Sequence, residues 1–180
     1  MTTYALIFDT STGAILGPHI YGDSNVTLPS NEVACTQAQA TGNVSLWQVE
    51  LSTSPYTLVQ SLAGAQAAQI AALTKSYVAS LAAPISFTTA SGATDTYATD
   101  ERSLAALRDY AAAFKSGVPK GFVWRSASNV DQPFTYADLE GLLSAIAARR
   151  YALFRTLQSL KAKVRAAKKP SAVSSVVWPE

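Results

Sequence analysis

His19 is the only histidine in the chain, so a Ser-His-Asp relay would have to be built around one imidazole in a loop beside Gly17-Pro18. No partnered nucleophile is recognisable near it, and the expectation is an ordinary loop side chain. Cys35, the one cysteine, sits between Ala34 and Thr36 in an expected strand, where a small buried apolar residue is commoner than an activated thiol. A single cysteine also forbids an internal disulfide and supplies no zinc set. Asp138 and Glu140 resemble a carboxylate pair for acid-base work. Asp138, however, fits the third position of a helix capping box, and Glu140 adds favourable charge to the same first turn. Gly117-Val118-Pro119-Lys120-Gly121 lacks the spacing and Ser/Thr of a phosphate loop, and its proline removes a needed backbone donor. The chain therefore reads as a non-enzyme, with no catalytic, cofactor-binding or metal-ligating residues.

The remaining constellation is electrostatic. Eight of the fourteen basic residues, Arg149, Arg150, Arg155, Lys161, Lys163, Arg165, Lys168 and Lys169, crowd one stretch, and no acid falls between Glu140 and Glu180. Such a basic face could track phosphates and bind nucleic acid with steep salt dependence. Aromatic interleaving is thin, because Tyr151 is joined only by Phe154, which a helix contact explains more simply. An acidic protein partner, or charge favouring a helix C-terminus, is the preferred reading over nucleic acid. No segment approaches 18 uncharged apolar residues, and MTTYALIFDTSTG lacks a basic stretch ahead of a long apolar one. Neither a membrane partner nor a secretion signal is expected, and synthesis in the cytoplasm follows.

The basic residues need a rod to carry them. Phe134 at N′, Thr135 at N-cap, Asp138 at N3 and Leu139 at N4 supply a capping box and a hydrophobic staple. From there Leu139, Leu142, Leu143, Ile146, Leu153, Leu157, Leu160 and Val164 recur at helical spacing, with no proline until Pro170. The spacing predicts one helix over about 135–168, roughly 50 Å long, against a diameter of ~40 Å for a compact domain of this size. Its far end is therefore expected to meet another chain through Leu153, Phe154, Leu157, Leu160 and Val164, in a homo-oligomer or larger assembly. After Pro170 a tail over 170–180 ends in Trp178-Pro179, and Trp178 is expected to fill a pocket.

Upstream, residues 1–58 read as a β-rich attachment module. Tyr4, Leu6 and Phe8 alternate with Ala5 and Ile7, Asp9 to Gly13 is turn chemistry, and Ala14-Ile15-Leu16 returns as a second strand ended by Gly17-Pro18. Glu32–Thr36 and Trp47–Leu51 are further strands, and Ser52 to Pro55 a linker. Tyr4, Leu6 and Phe8 are assigned to partner binding by strand addition. Residues 59–180 read as mainly helical. An Ala-rich helix runs from Thr57 to Leu81, then come a hairpin at 85–97, a helix capped by Thr99 or Asp100 and closed at Gly117, a strand at Phe122–Arg125, and the long helix. The fold class is α+β, a small β-rich module followed by a mainly helical domain with short hairpin insertions and a long C-terminal helix. Only 14% of residues are charged, against ~25% in typical domains, so partners should cover part of the surface.

The order of TYATDERSLAAL, FVWRSASN, FTYADLEGLLSAIAARR and a tryptophan behind a basic segment, over about residues 60–180, resembles a domain of tail-fibre assembly and tail-associated proteins of tailed bacteriophages. YALIFDTSTGAI resembles the strand-turn-strand that precedes it there. The resemblance implies no catalytic residues. It implies a virion tail component binding tail-fibre or tail/baseplate proteins, with a dissociating fibre-assembly chaperone as the alternative, and no small-molecule substrate.

Overall fold

The computed structural model describes residues 2–23 and 25–179. Its strands are β1 (Thr3–Phe8), β2 (Ile15–Tyr21), β3 (Glu32–Cys35), β4 (Trp47–Glu50), β5 (Thr57–Gln60), β6 (Ile85–Thr88), β7 (Thr94–Tyr97), β8 (Val123–Arg125) and β9 (Asp131–Pro133). Its helices are α1 (Gln37–Thr41), α2 (Leu62–Ala82), α3 (Glu101–Ala113), α4 (Tyr136–Ala166) and α5 (Pro170–Ser174). The protein is α+β, its N-terminal strands preceding a mainly helical part with a long C-terminal helix. Two compact units divide the chain: Met1–Ala72 with Lys161–Val177, and Leu73–Leu160 with Trp178–Glu180. The break thus falls inside α2 and α4 instead of at residue 58.

In the first unit the sheet order is β2-β1-β3, antiparallel throughout. The alternation of β1 places Leu6 and Phe8 on one face, where they join Val33 and Val49 in a core flanked by Ile15, Trp47 and Leu58. β1 is therefore the central strand, and Leu6 and Phe8 are core residues; both are withdrawn from any partner, and Tyr4 is half-buried. β2 continues through Gly17-Pro18, past the stop expected from sequence. Pro18 stands opposite Leu6, in a register that turns its missing donor outward on an edge strand, so no ladder bond is lost. Residues 57–60, expected to be helical, instead pair with β4 from Trp47↔Gln60 to Glu50↔Thr57, and Leu58 packs against the core. Tertiary pairing of β-favouring Thr57 and Val59 overrides the helical pattern there.

α2 starts at Leu62, with Ser61 Oγ accepting the Gly64 N–H at 3.0 Å. Ser61 N–H reaches Leu46 O at 2.9 Å, and a Cβ on Gly64 would collide with that same carbonyl. Near the same end of α2, Gln66 Nε2 lies within reach of carbonyls at the C-terminus of α4: Val164 O at 3.1 Å, Arg165 O at 3.3 Å and Ala167 O at 3.3 Å. Gln69 Nε2 similarly holds Val176 O at 2.6 Å.

In the second unit the apolar faces of α3 and α4 enclose Tyr97, Leu104, Leu107, Phe134, Leu139, Leu142 and Ile146. The β6-β7 hairpin lies at its expected place, and β8 falls within the expected Phe122–Arg125 strand but pairs with β9, where no strand was expected. Asp100, not Thr99, caps α3, accepting the Ser103 N–H at 3.0 Å. The capping box of α4 is formed as expected: Asp138 Oδ2 takes the Thr135 N–H at 2.8 Å and the Thr135 hydroxyl at 2.6 Å, while Thr135 Oγ1 accepts the Asp138 N–H at 3.2 Å. Asp138 Oδ1 also accepts the Ala90 N–H at 2.6 Å, tying the β6-β7 turn to the helix start. Burial raises this carboxyl's pKa, but the Thr135 and Ala90 hydrogen bonds outweigh it and hold the group below its ordinary value.

Two outcomes follow. Gly64→Ala should lower unfolding free energy by about 1–3 kcal/mol in denaturant melts, because a backbone carbonyl cannot step aside as a flexible side chain can. Asp138 has a depressed folded-state pKa, so its stabilisation is present above the unfolded value of ~3.9 and lost as pH falls through the folded one. Asp138→Asn should therefore cost about 1–3 kcal/mol at neutral pH and flatten the acid-side fall in melting temperature.

Candidate functional site

β3 is bonded on one side only. Phe8 N–H donates to Asn31 O at 2.9 Å, which with the Leu6↔Val33 and Tyr4↔Cys35 register makes Val33 and Cys35 the residues bonded to β1. The peptide groups of Glu32 and Ala34 consequently point away from the sheet. Glu32 N–H is taken by Pro29 O at 3.0 Å, whereas Ala34 N–H has no partner among the described residues. The strand stops at Thr36, which forms a capping box with Gln39 and opens α1. Along this free edge runs an open cleft of about 1180 Å³ whose opposite wall is the 51–58 segment joining β4 to β5. Val33, Leu51 and Leu58 contribute apolar surface, and Tyr56 leans edge-on against Phe8 with ring centroids 5.3 Å apart.

The one charged lining residue, Glu32, is already engaged. Its Oε1 lies 2.8 Å from His19 Nδ1 and its Oε2 accepts the Tyr21 hydroxyl at 2.7 Å, with the His19 and Tyr21 rings 4.2 Å apart. Burial pushes the Glu32 carboxyl up, and the His19 and Tyr21 hydrogen bonds outweigh it and leave the pKa lowered. His19 is thus a strand residue clasping β2 to β3 across β1, not the loop side chain expected. Cys35 lines the cleft, its thiol pKa raised by burial, away from activation.

The residues assigned to partner binding on the long helix scatter. α4 is unbroken for 31 residues, roughly 46 Å at 1.5 Å per residue. Leu157 is 4% exposed, Leu160 9% and Val164 0%, so the apolar stripe is covered by this chain and is not a docking surface. Leu153 is half-buried, and Phe154, at 47% exposed, remains open with Tyr151. Trp178 finds its neighbour within the chain, packing edge-on to Tyr77 at 6.2 Å.

Residues 64–176, more than half of the chain, match the family described as "Domain of unknown function (DUF4376)". The chain belongs to this family. No curated protein and no solved structure matches it. The cleft, built from residues 28–58, lies ahead of the DUF4376 match.

The DUF4376 portion carries the cations, and the structure separates them into two kinds. Arg149 closes the C-terminus of α2, its Nη1 donating to Pro84 O at 3.0 Å and its Nη2 to Ala83 O at 2.5 Å and Thr99 Oγ1 at 3.1 Å. Thr99, 1% exposed, places its hydroxyl 2.8 Å from Leu81 O. Arg150 donates to Thr99 O and to Glu101 Oε1, both at 3.1 Å. These two arginines are internal braces and leave the expected basic face. Arg155, Lys161, Lys163, Arg165, Lys168 and Lys169 have no ion-pair partner among the described residues. All are exposed except the half-buried Lys161. Lys163 and Arg165 sit in the last turn of α4, where they favour its negative end. No helix among the described residues is long and apolar enough to cross a membrane.

Arg149→Met should cost about 2–4 kcal/mol in thermal or chemical melts by orphaning the carbonyls that end α2. Lys168→Ala should stay within about 0.5 kcal/mol of the parent, as for an unpaired surface charge.

Proposed function

We propose that the chain is a non-catalytic attachment protein of tailed-phage tails, binding tail-fibre or tail/baseplate subunits and remaining in the virion after synthesis in the host cytoplasm. The observation that carries this reading is the unpaired β3 edge beside an open, partly apolar cleft, an arrangement suited to receiving an extended segment of another chain. It differs from the sequence expectation in its surface: the receiving edge is Glu32–Cys35, since Tyr4, Leu6 and Phe8 lie in the central strand. β2 cannot serve, because Pro18 interrupts its outer edge and Ala14 bridges to Gln48 at its start. The unpaired cations from Arg155 to Lys169 offer a complementary surface to an acidic tail subunit.

Mass spectrometry of purified phage particles should find the protein at fixed stoichiometry; its absence, with rescue of fibre solubility on co-expression, would identify a dissociating chaperone instead. Ala34→Pro removes the outward donor and places a ring on the free edge without touching the bonds to β1. Incorporation of this variant should fall by roughly tenfold or more, the loss of at least ~1.4 kcal/mol, while its melting temperature stays close to the parent's.

A further inference from the structure

The cleft restricts what can occupy it. Among the described residues no Lys or Arg lines the cleft, and its sole charged lining residue is Glu32. A carboxylate or phosphate entering here would give up part of its water and meet no cation. An ammonium or guanidinium would find the Glu32 side chain only 5% exposed and turned to His19 and Tyr21. Nucleic acid, with a phosphate at every nucleotide, is excluded on the same ground. What the cleft does offer is main chain and apolar surface. Ala34 N–H and C=O and Glu32 C=O point outward along about one bonding repeat of a strand. Val33 and Leu58, with Tyr56 fixed against Phe8, form the wall beside them.

We infer that the occupant is an uncharged, extended segment of a partner protein, paired to the β3 edge at Ala34 with an apolar side chain on the Val33–Tyr56–Leu58 wall. This deepens the attachment role proposed above and rests on it. Main-chain bonds supply the docking and the wall selects the side chain, while exclusion of charge supplies discrimination against other strands.

The test uses the full chain, ¹⁵N-labelled, with a blocked hexapeptide of alternating Thr and Val as probe and two variants carrying Glu or Lys at the central Val. The uncharged peptide should slow amide hydrogen exchange at Ala34 by roughly tenfold or more and bind at least about tenfold tighter than either charged variant, a difference of ~1.4 kcal/mol. Ala34→Pro should abolish binding. Equal affinity for the charged peptides, protection located elsewhere than Ala34, or displacement of the peptide by duplex DNA would each overturn the inference. If the charged peptides bind equally but Ala34→Pro still blocks incorporation into particles, the occupant's chemistry is wrong and the attachment role stands. If the peptides discriminate as expected but incorporation is unchanged, the cleft chemistry stands and the attachment role falls.

Discussion

Main-chain hydrogen-bonding groups at the ends and edges of elements must find partners, and in this chain side chains from distant positions meet that demand. Arg149 and Thr99 close the end of α2. Thr135 and Asp138 close the start of α4, and Gln66 its end. On the three-stranded sheet, Pro18 removes the donor that would otherwise stand open on β2. The same demand makes Ala34 conspicuous: its peptide faces a cleft with no partner, while neighbouring Glu32 and Thr36 have their N–H groups satisfied by Pro29 and Gln39. The open β3 edge beside that cleft is the basis for the binding proposed there.

Charge is distributed by the same division. Residues 1–74 hold the carboxylates Asp9, Asp23, Glu32 and Glu50 and no Lys or Arg. Asp9 is stabilised by the Ser11 hydroxyl and the Ser11 and Thr12 N–H groups, and Glu50 by Ser52, so local hydroxyls and peptide donors take the place of cations. Among the described residues the cleft lining holds no Lys or Arg, while the cations from Arg155 to Lys169 at the α4 end have no ion-pair partner. In the proposed attachment role, the first of these surfaces would read main chain and the second charge.

Much of the fold was legible because its signals are local. Thr135-x-x-Asp138 marked the α4 start, the alternation of Tyr4, Leu6 and Phe8 marked β1, and the absence of proline up to Pro170 set the length of α4. Thr36-x-x-Gln39 is an equally local capping signal, and it opens α1. The candidate site was less legible: its edge-strand character was expected, but of the wrong strand. Strand order is not encoded in alternation, and β1 reads the same whether it is central or at an edge. For the same reason the apolar stripe on α4 announced burial without saying whether this chain or another would cover it.

By itself, then, the sequence determined most element types and ends, the α+β class, and the concentration of positive charge toward the C-terminus. Those properties follow from neighbours within a few residues, through capping, period and turn chemistry. Tertiary structure alone decided that β1 is flanked on both sides, that Leu157, Leu160 and Val164 are covered, that Arg149 and Arg150 are braces, and that His19 meets Glu32. Each depends on groups brought together from far along the chain, as Arg149 is to Ala83, and no local pattern carries that information.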